Sequence, residues 1–194
     1  MSHLSDAAGA MAAVVRTITA DQLAEPTPCA KYDVRALLNH LLFWGPSLAG
    51  AGRKEVVAPL AAAESDVDLT TGDWRADLLE LLDRMASAWA PRSAWEGVTG
   101  FGEPREMPAA VIGDMITGEL AVHGWDLAVA TGQLLDLPAP LVAHLWESMA
   151  APAAQGREMG LFGPEVTVPA DAPTLDRVLG LTGRDPAWTP VHAM

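Results

Sequence analysis

The sequence predicts an all-α protein, an antiparallel helical bundle with additional C-terminal helices and at most a short strand. Three observations carry this expectation. Apolar residues recur at helical spacing in four long stretches, prolines and glycines separate those stretches, and little of the chain alternates with the two-residue period of a strand. With 194 residues, half of them hydrophobic, the chain suits a single domain over 1–194 with a sizeable core.

The first helix shows apolar Leu4, Ala7, Ala8, Met11, Val14, Val15 and Ile18 on one stripe. Thr19 and Gln22 then have the spacing of a capping box that opens one short turn, and the two prolines of "EPTPC" end it. Asp33 is a good N-cap for "VRALLNHLLFWGPSLAGAGRKE", whose inward face runs Leu37, His40, Leu41, Trp44, Leu48. Pro46 is expected to kink or divide this helix, and 55–72 reads as a loop-like connection. A third helix places Trp74, Leu78, Leu81, Leu82, Met85 and Trp89 on one face and stops at Pro91. The turn-rich "SAWEGVTGFGEPREMP" could hold a short hairpin at best. A fourth helix runs from about Pro108 to Thr131, with Gly132 at C′, and is read as amphipathic. A fifth, "APLVAHLWESMAA", ends at Pro152. The tail offers an extended piece at 166–168 and a last helix near 174–182.

Twelve basic residues against 25 acidic ones give a net charge of -13, which repels nucleic acid and anionic lipid alike. The N-terminal stretch has a helical period and no basic leader, and no run of about 18 apolar residues follows, so neither a signal peptide nor a membrane span is expected. Cys29, the only cysteine, fits a reducing cytoplasm. Monomer and homodimer are both compatible with the sequence.

Glu119, His123 and Asp126 fall on one stripe of the fourth helix, the stripe a bundle helix normally buries. Burying such groups is costly unless a metal ion, a hydrogen-bond network or a solvated groove satisfies them. His40 lies on the apolar face of the second helix. If the two helices are neighbours, two imidazoles and one carboxylate converge, a ligand set of catalytic zinc that also suits nickel, iron or manganese. A buried His–Glu network is the alternative from spacing alone.

"TPCAKYDVRALLNHLLFWG" together with "GELAVHGWDLAVATGQ" resembles the DinB-like superfamily of metal-binding four-helix bundles. The similarity is greater to its actinobacterial branch, related to the metal-binding domain of mycothiol-dependent maleylpyruvate isomerase. The ending "LFGPEVTVPADAPTLDRVLGLTGRDPAW" is similar to a group in that branch whose members mostly lack an assigned reaction. The resemblance implies that His40, Glu119 and His123 occupy the three metal-ligand positions, with zinc the first candidate. Two departures stand out. Tyr32 replaces a tryptophan frequent in the branch, and a short tail stands where the full isomerase has a further domain that contributes to activity. The isomerase reaction itself is therefore not carried over.

Around this set, Asp126 suits either a hydrogen-bond acceptor orienting an imidazole or a salt bridge to Arg35. Trp44 could wall the site or simply pack in the core. Cys29 is read as structural, His144 and Glu147 as a solvated or packed pair, and His3 and His192 as residues without a role. The leading functional expectation is a metal-dependent transferase or isomerase that uses mycothiol or a similar small thiol against an electrophilic substrate. No catalytic acid or base is identifiable. The alternatives are a metal-dependent hydrolase, with Asp126 as proton acceptor for a bound water, and a non-catalytic metal-stabilised interaction module.

Overall fold

A computed structural model describes residues 2–100, 106–158, 160 and 162–190. Seven α-helices are present among them: α1 (His3–Val15), α2 (Val34–Gly52), α3 (Trp74–Ala88), α4 (Ala109–Ala130), α5 (Ala139–Met149), α6 (Ala153–Glu158) and α7 (Thr174–Leu181). The first four pack as a closed ring in which α1 touches α3 and α4, and α2 touches the same two. α5 lies outside this ring against α1 and α4 and carries α7 on its own flank.

The helix starts follow from side-chain chemistry. Ser2 caps α1 by accepting from the Ser5 N–H, and Asp33 caps α2 by accepting from the Ala36 N–H at 2.7 Å. Gln22 Oε1 accepts from the Thr19 N–H at 2.9 Å and opens the short 3-10 turn Ala20–Ala24. At the far end of α4, Gly132 takes φ +72°, a left-handed conformation glycine enters without steric cost, and the Gln133 N–H returns to the Ala128 carbonyl at 2.7 Å.

Leu4 and Met11 of α1, Leu37 and Leu38 of α2, Leu78 and Leu82 of α3, and Ile112, Ile116 and Leu120 of α4 are fully buried and fill the ring. Each such side chain contributes roughly 1.5–3 kcal/mol relative to exposure. The expected short hairpin reduces to two residue pairs, Val98–Pro108 and Thr99–Met107, between β1 (Val98–Thr99) and β2 (Met107–Pro108). Positions 101–105 between them lie outside the described residues.

Two expectations are corrected and two details are added. Pro46 does not divide α2, which runs unbroken from Val34 to Gly52; the proline forfeits one backbone bond, while α3 and α4 pack along the helix on both sides of it. α4 is not amphipathic in its second half, because Leu120 to Ala128 are all buried; α1 and α2 cover one side and α5 another. Residues 166–168 form no strand, and the Val166 N–H donates to Gly180 O of α7. α6 is a short helix with no signal in the sequence pattern.

Candidate metal centre

α2 and α4 lie side by side, so the helical periodicity of each delivers its polar residues to a common point. His40 comes from α2, Glu119 and His123 from successive turns of α4. One ligand atom from each can be chosen so that all lie within 4.8 Å of one another. His40 Nε2 stands 2.8 Å from Glu119 Oε1, and His123 Nε2 stands 3.4 Å from the same oxygen. The two imidazole rings meet edge to face at 5.5 Å between centroids.

Both outer ring nitrogens face carboxylates. His123 Nδ1 lies 2.9 Å from Asp126 Oδ2, and His40 Nδ1 lies 2.8 Å from Glu64 Oε2. Carboxylates only accept, so each Nδ1 is placed to donate outward, while each Nε2 is turned inward to Glu119, which without an ion is an acceptor as well. Asp126 is thus hydrogen-bonded to the His123 imidazole. It is also in a salt bridge, but to Arg184 and not to Arg35. Arg184 Nη2 and Nε donate to its two oxygens at 2.9 and 3.3 Å, and both side chains are buried. Arg35 instead donates to Thr70 and pairs loosely with Asp68.

Glu64 comes from the 55–72 connection, whose sequence presents only a loop. Besides His40, it accepts from the Tyr32 hydroxyl at 2.7 Å and from Trp44 Nε1 at 3.0 Å. Trp44 thus has a polar duty at the edge of the site. Tyr32, which entered only as a departure from a family pattern, reaches both Glu64 and His40 Nδ1, the latter at 3.1 Å. Arg184 lies far along the tail, with no local signal that ties it to this centre. No local pattern could have linked positions 64 or 184 to this place, because both contacts depend on how the chain returns to the bundle.

The electrostatics follow from these neighbours. Burial disfavours the Glu119 carboxylate, but the charge of His123, the hydrogen bond and charge of His40, and Arg184 outweigh it and bring its pKa down to about 2. Burial also opposes protonation of His40, yet Glu119 and Glu64 prevail and its pKa is raised. Glu64 is held below the usual carboxylate range by Tyr32, His40 and Trp44 despite the opposing effect of burial. With both imidazoles neutral, Glu64, Glu119 and Asp126 bring three negative charges against the single positive charge of Arg184. The surplus of two matches a divalent cation, and the inward Nε2 atoms are donors of the right chemistry for one.

Cys29 lies at the rim, where its sulfur can group with His123 and Asp126 within the same 4.8 Å limit. Burial pushes its thiol pKa up, against a smaller opposing pull from Arg184. His144 does not pair with Glu147: its Nε2 lies 2.9 Å from Asp114 Oδ1, and its ring stacks on His3 at 4.4 Å. His192 lies outside the described residues.

Among the described residues, no helix is long and apolar enough to cross a membrane. Two uncharacterized proteins from two strains of Mycobacterium tuberculosis are each 32% identical to this chain over 190 residues, which covers 95% of it and 96% of them. Crystal structures of the mycothiol-dependent maleylpyruvate isomerase and of a histidine-to-alanine mutant match the fold with TM-scores of 0.56 and 0.58. They do so at 16% identity, over 79% of this chain and 71% of theirs. The matched residues of the sequence model described as the mycothiol maleylpyruvate isomerase N-terminal domain, 4–128, span all four helices of the ring and all three inward-facing side chains. Sequence and fold agree, and the chain belongs to the mycothiol maleylpyruvate isomerase N-terminal domain family.

Proposed function

We propose that this protein is a divalent-metal enzyme in which His40, Glu119 and His123 hold the ion, zinc first among the candidates, and that it transfers or isomerises small electrophilic substrates with mycothiol or a similar thiol as cosubstrate. The observation that carries the reading is the convergence of two Nε2 atoms on Glu119 while both Nδ1 atoms are committed to carboxylates. Family membership supports the thiol, since the family and its solved member are described by dependence on mycothiol.

A bound divalent ion supplies positive charge that favours thiolate over thiol at neutral pH. The chain's own residues hold and orient. Asp126 fixes His123, Glu64 fixes His40, and the largely apolar bundle beneath excludes water from the inner side. Cys29 is poorly suited to act as the nucleophile, because burial holds its thiol protonated.

The hydrolase reading is weaker on this geometry. Its proton acceptor was Asp126, and that carboxylate is buried and committed to His123 and Arg184. The test is elemental analysis of the purified protein combined with thiol-dependent conversion of a reactive electrophile. About one divalent ion per chain is expected, with both ion and thiol-dependent rate lost in a His40→Ala, His123→Ala variant. Equal metal content in wild type and variant would refute the reading.

A further inference from the structure

Arg184 comes to the centre from the far end of the chain, and the backbone explains how. α7 ends on a left-handed glycine. Gly183 takes φ +83°, its N–H returns to the Gly180 carbonyl at 3.1 Å, and the Arg184 N–H returns to the Leu179 carbonyl at 2.9 Å. The turn is also pressed against a second glycine, since a Cβ at position 183 would stand 2.8 Å from Gly163 Cα. Glycine alone satisfies both the conformation and the contact. The turn redirects the chain after α7, and the next side chain, Arg184, lies buried against Asp126 of α4.

Asp126 follows His123 by three residues on the same helix, which brings the two within reach but does not fix how they meet. The terminal torsion of an aspartate is broad, and a single contact to Oδ2 leaves its carboxylate free to turn. Arg184 removes that freedom. Nη2 donates to Oδ2 at 2.9 Å and Nε to Oδ1 at 3.3 Å, a two-point contact between two planar groups. Nη1 donates to the Thr182 carbonyl at 2.8 Å. The guanidinium is therefore held by the backbone of its own turn, and it holds the carboxylate with Oδ2 facing His123 Nδ1 at 2.9 Å.

We propose that Arg184 is a positioning residue of the metal centre: it fixes the plane of Asp126 and, through Asp126, the ring of His123. The C-terminal segment is then a working part of a site whose proposed ligands all lie on α2 and α4. The inference deepens the metal reading and rests on it. Residues 4–128, which match the family model, contain His40, Glu119, His123 and Asp126 but not Arg184, so this support comes from outside the matched domain.

Charge and positioning are separable here. A lysine at 184 would bring the same charge on a single nitrogen, without the planar fork that engages both oxygens of a carboxylate at once. The experiment compares wild type with Arg184→Lys and Arg184→Met. Zinc affinity is read by competition with a chromophoric chelator, folding by thermal unfolding in chelator, and the His123 ring from crystal structures of the chelator-treated proteins. Arg184→Lys should keep most of the wild-type melting temperature, because the buried carboxylate keeps a cation. Its zinc affinity should nonetheless fall about tenfold, and that of Arg184→Met up to about a hundredfold. In the lysine variant the Asp126 carboxylate should be turned and its contact with His123 Nδ1 broken. Wild-type affinity in Arg184→Lys would overturn the proposal, because charge alone would then suffice. Weakened affinity with the Asp126–His123 contact unmoved would overturn it as well. If wild type binds no zinc, the metal reading fails, while the crystal structures still decide whether Arg184 holds Asp126 against His123.

Discussion

Replacing Arg184 by methionine should destabilise the whole bundle, although the residue sits far along the tail. The Asp126 carboxylate is fully buried, and Arg184 is only 8% exposed. Arg184 engages it through two nitrogens, while its third donates to the Thr182 carbonyl at 2.8 Å. Burial works against the guanidinium charge, but Asp126 more than restores it, and the Arg184 pKa is raised. Methionine retains most of the aliphatic stem, so little packing is lost. What remains is a carboxylate without solvent and with only His123 Nδ1 as a partner. Breaking a buried pair in this one-sided way costs about 3–5 kcal/mol. For a chain of this size that corresponds to a melting temperature lower by roughly 6–20 °C. The assay is thermal unfolding followed by circular dichroism in the presence of chelator, so that bound metal does not mask the difference. Adding Asp126→Asn removes the stranded charge while leaving an oxygen for His123, and should recover a large part of the loss. A methionine variant that melts within about 2 °C of wild type would refute the reasoning, because it would mean that Asp126 is not dependent on this cation.

Other outcomes follow from the same geometry. Glu119→Gln removes the anionic member of the proposed ligand set, so metal content and thiol-dependent rate should fall together, measured by elemental analysis and an electrophile-conversion assay. Cys29→Ser should leave thiol transfer largely intact, since the thiol is held protonated by burial; a dead serine variant would assign it the nucleophile's part. Stability should respond to pH in opposite directions with and without metal. The raised pKa of His40 contributes stability to the metal-free protein below the ordinary imidazole value of about 6.5, and this is lost as pH rises through the raised value. Zinc-loaded protein should instead gain stability over that interval, because the ligands must be deprotonated to bind. Melting curves at several pH values, with chelator and with zinc, separate the two trends.

What could be read from the sequence was what repeats along a helix. His40 on one apolar stripe and Glu119 and His123 on another are local facts, and only the adjacency of α2 and α4 had to be supplied. Asp126 shows where this stops. Its contact with His123 is three residues away and was foreseeable, whereas its cation lies 58 residues downstream, with nothing in the spacing to prefer it over Arg35. Glu64 was invisible for a related reason. A carboxylate in an irregular stretch looks solvated until Asn39 is seen to hold the backbone at Glu64 and just after it, at Val67 and Leu69. Pro46 misled in the opposite direction, since the local rule against proline in helices was outweighed by packing along both flanks of α2.

The single oxygen shared by the two imidazoles has a thermodynamic consequence. Glu119 Oε1 lies 2.8 Å from His40 Nε2, and Glu64 faces the opposite nitrogen at the same distance. Two acceptors flanking one ring favour an imidazolium between them, so below the raised pKa of His40 the metal-free centre holds a cation, distributed as a proton. Under the proposed metal reading, filling the centre is an exchange of one cation for another. The proton expelled from His40 must be taken up by the buffer, and the heat of titrating zinc into the protein will vary with the ionisation enthalpy of that buffer. At a fixed pH below the raised pKa, the slope of that variation counts the protons released and should approach one from His40 alone.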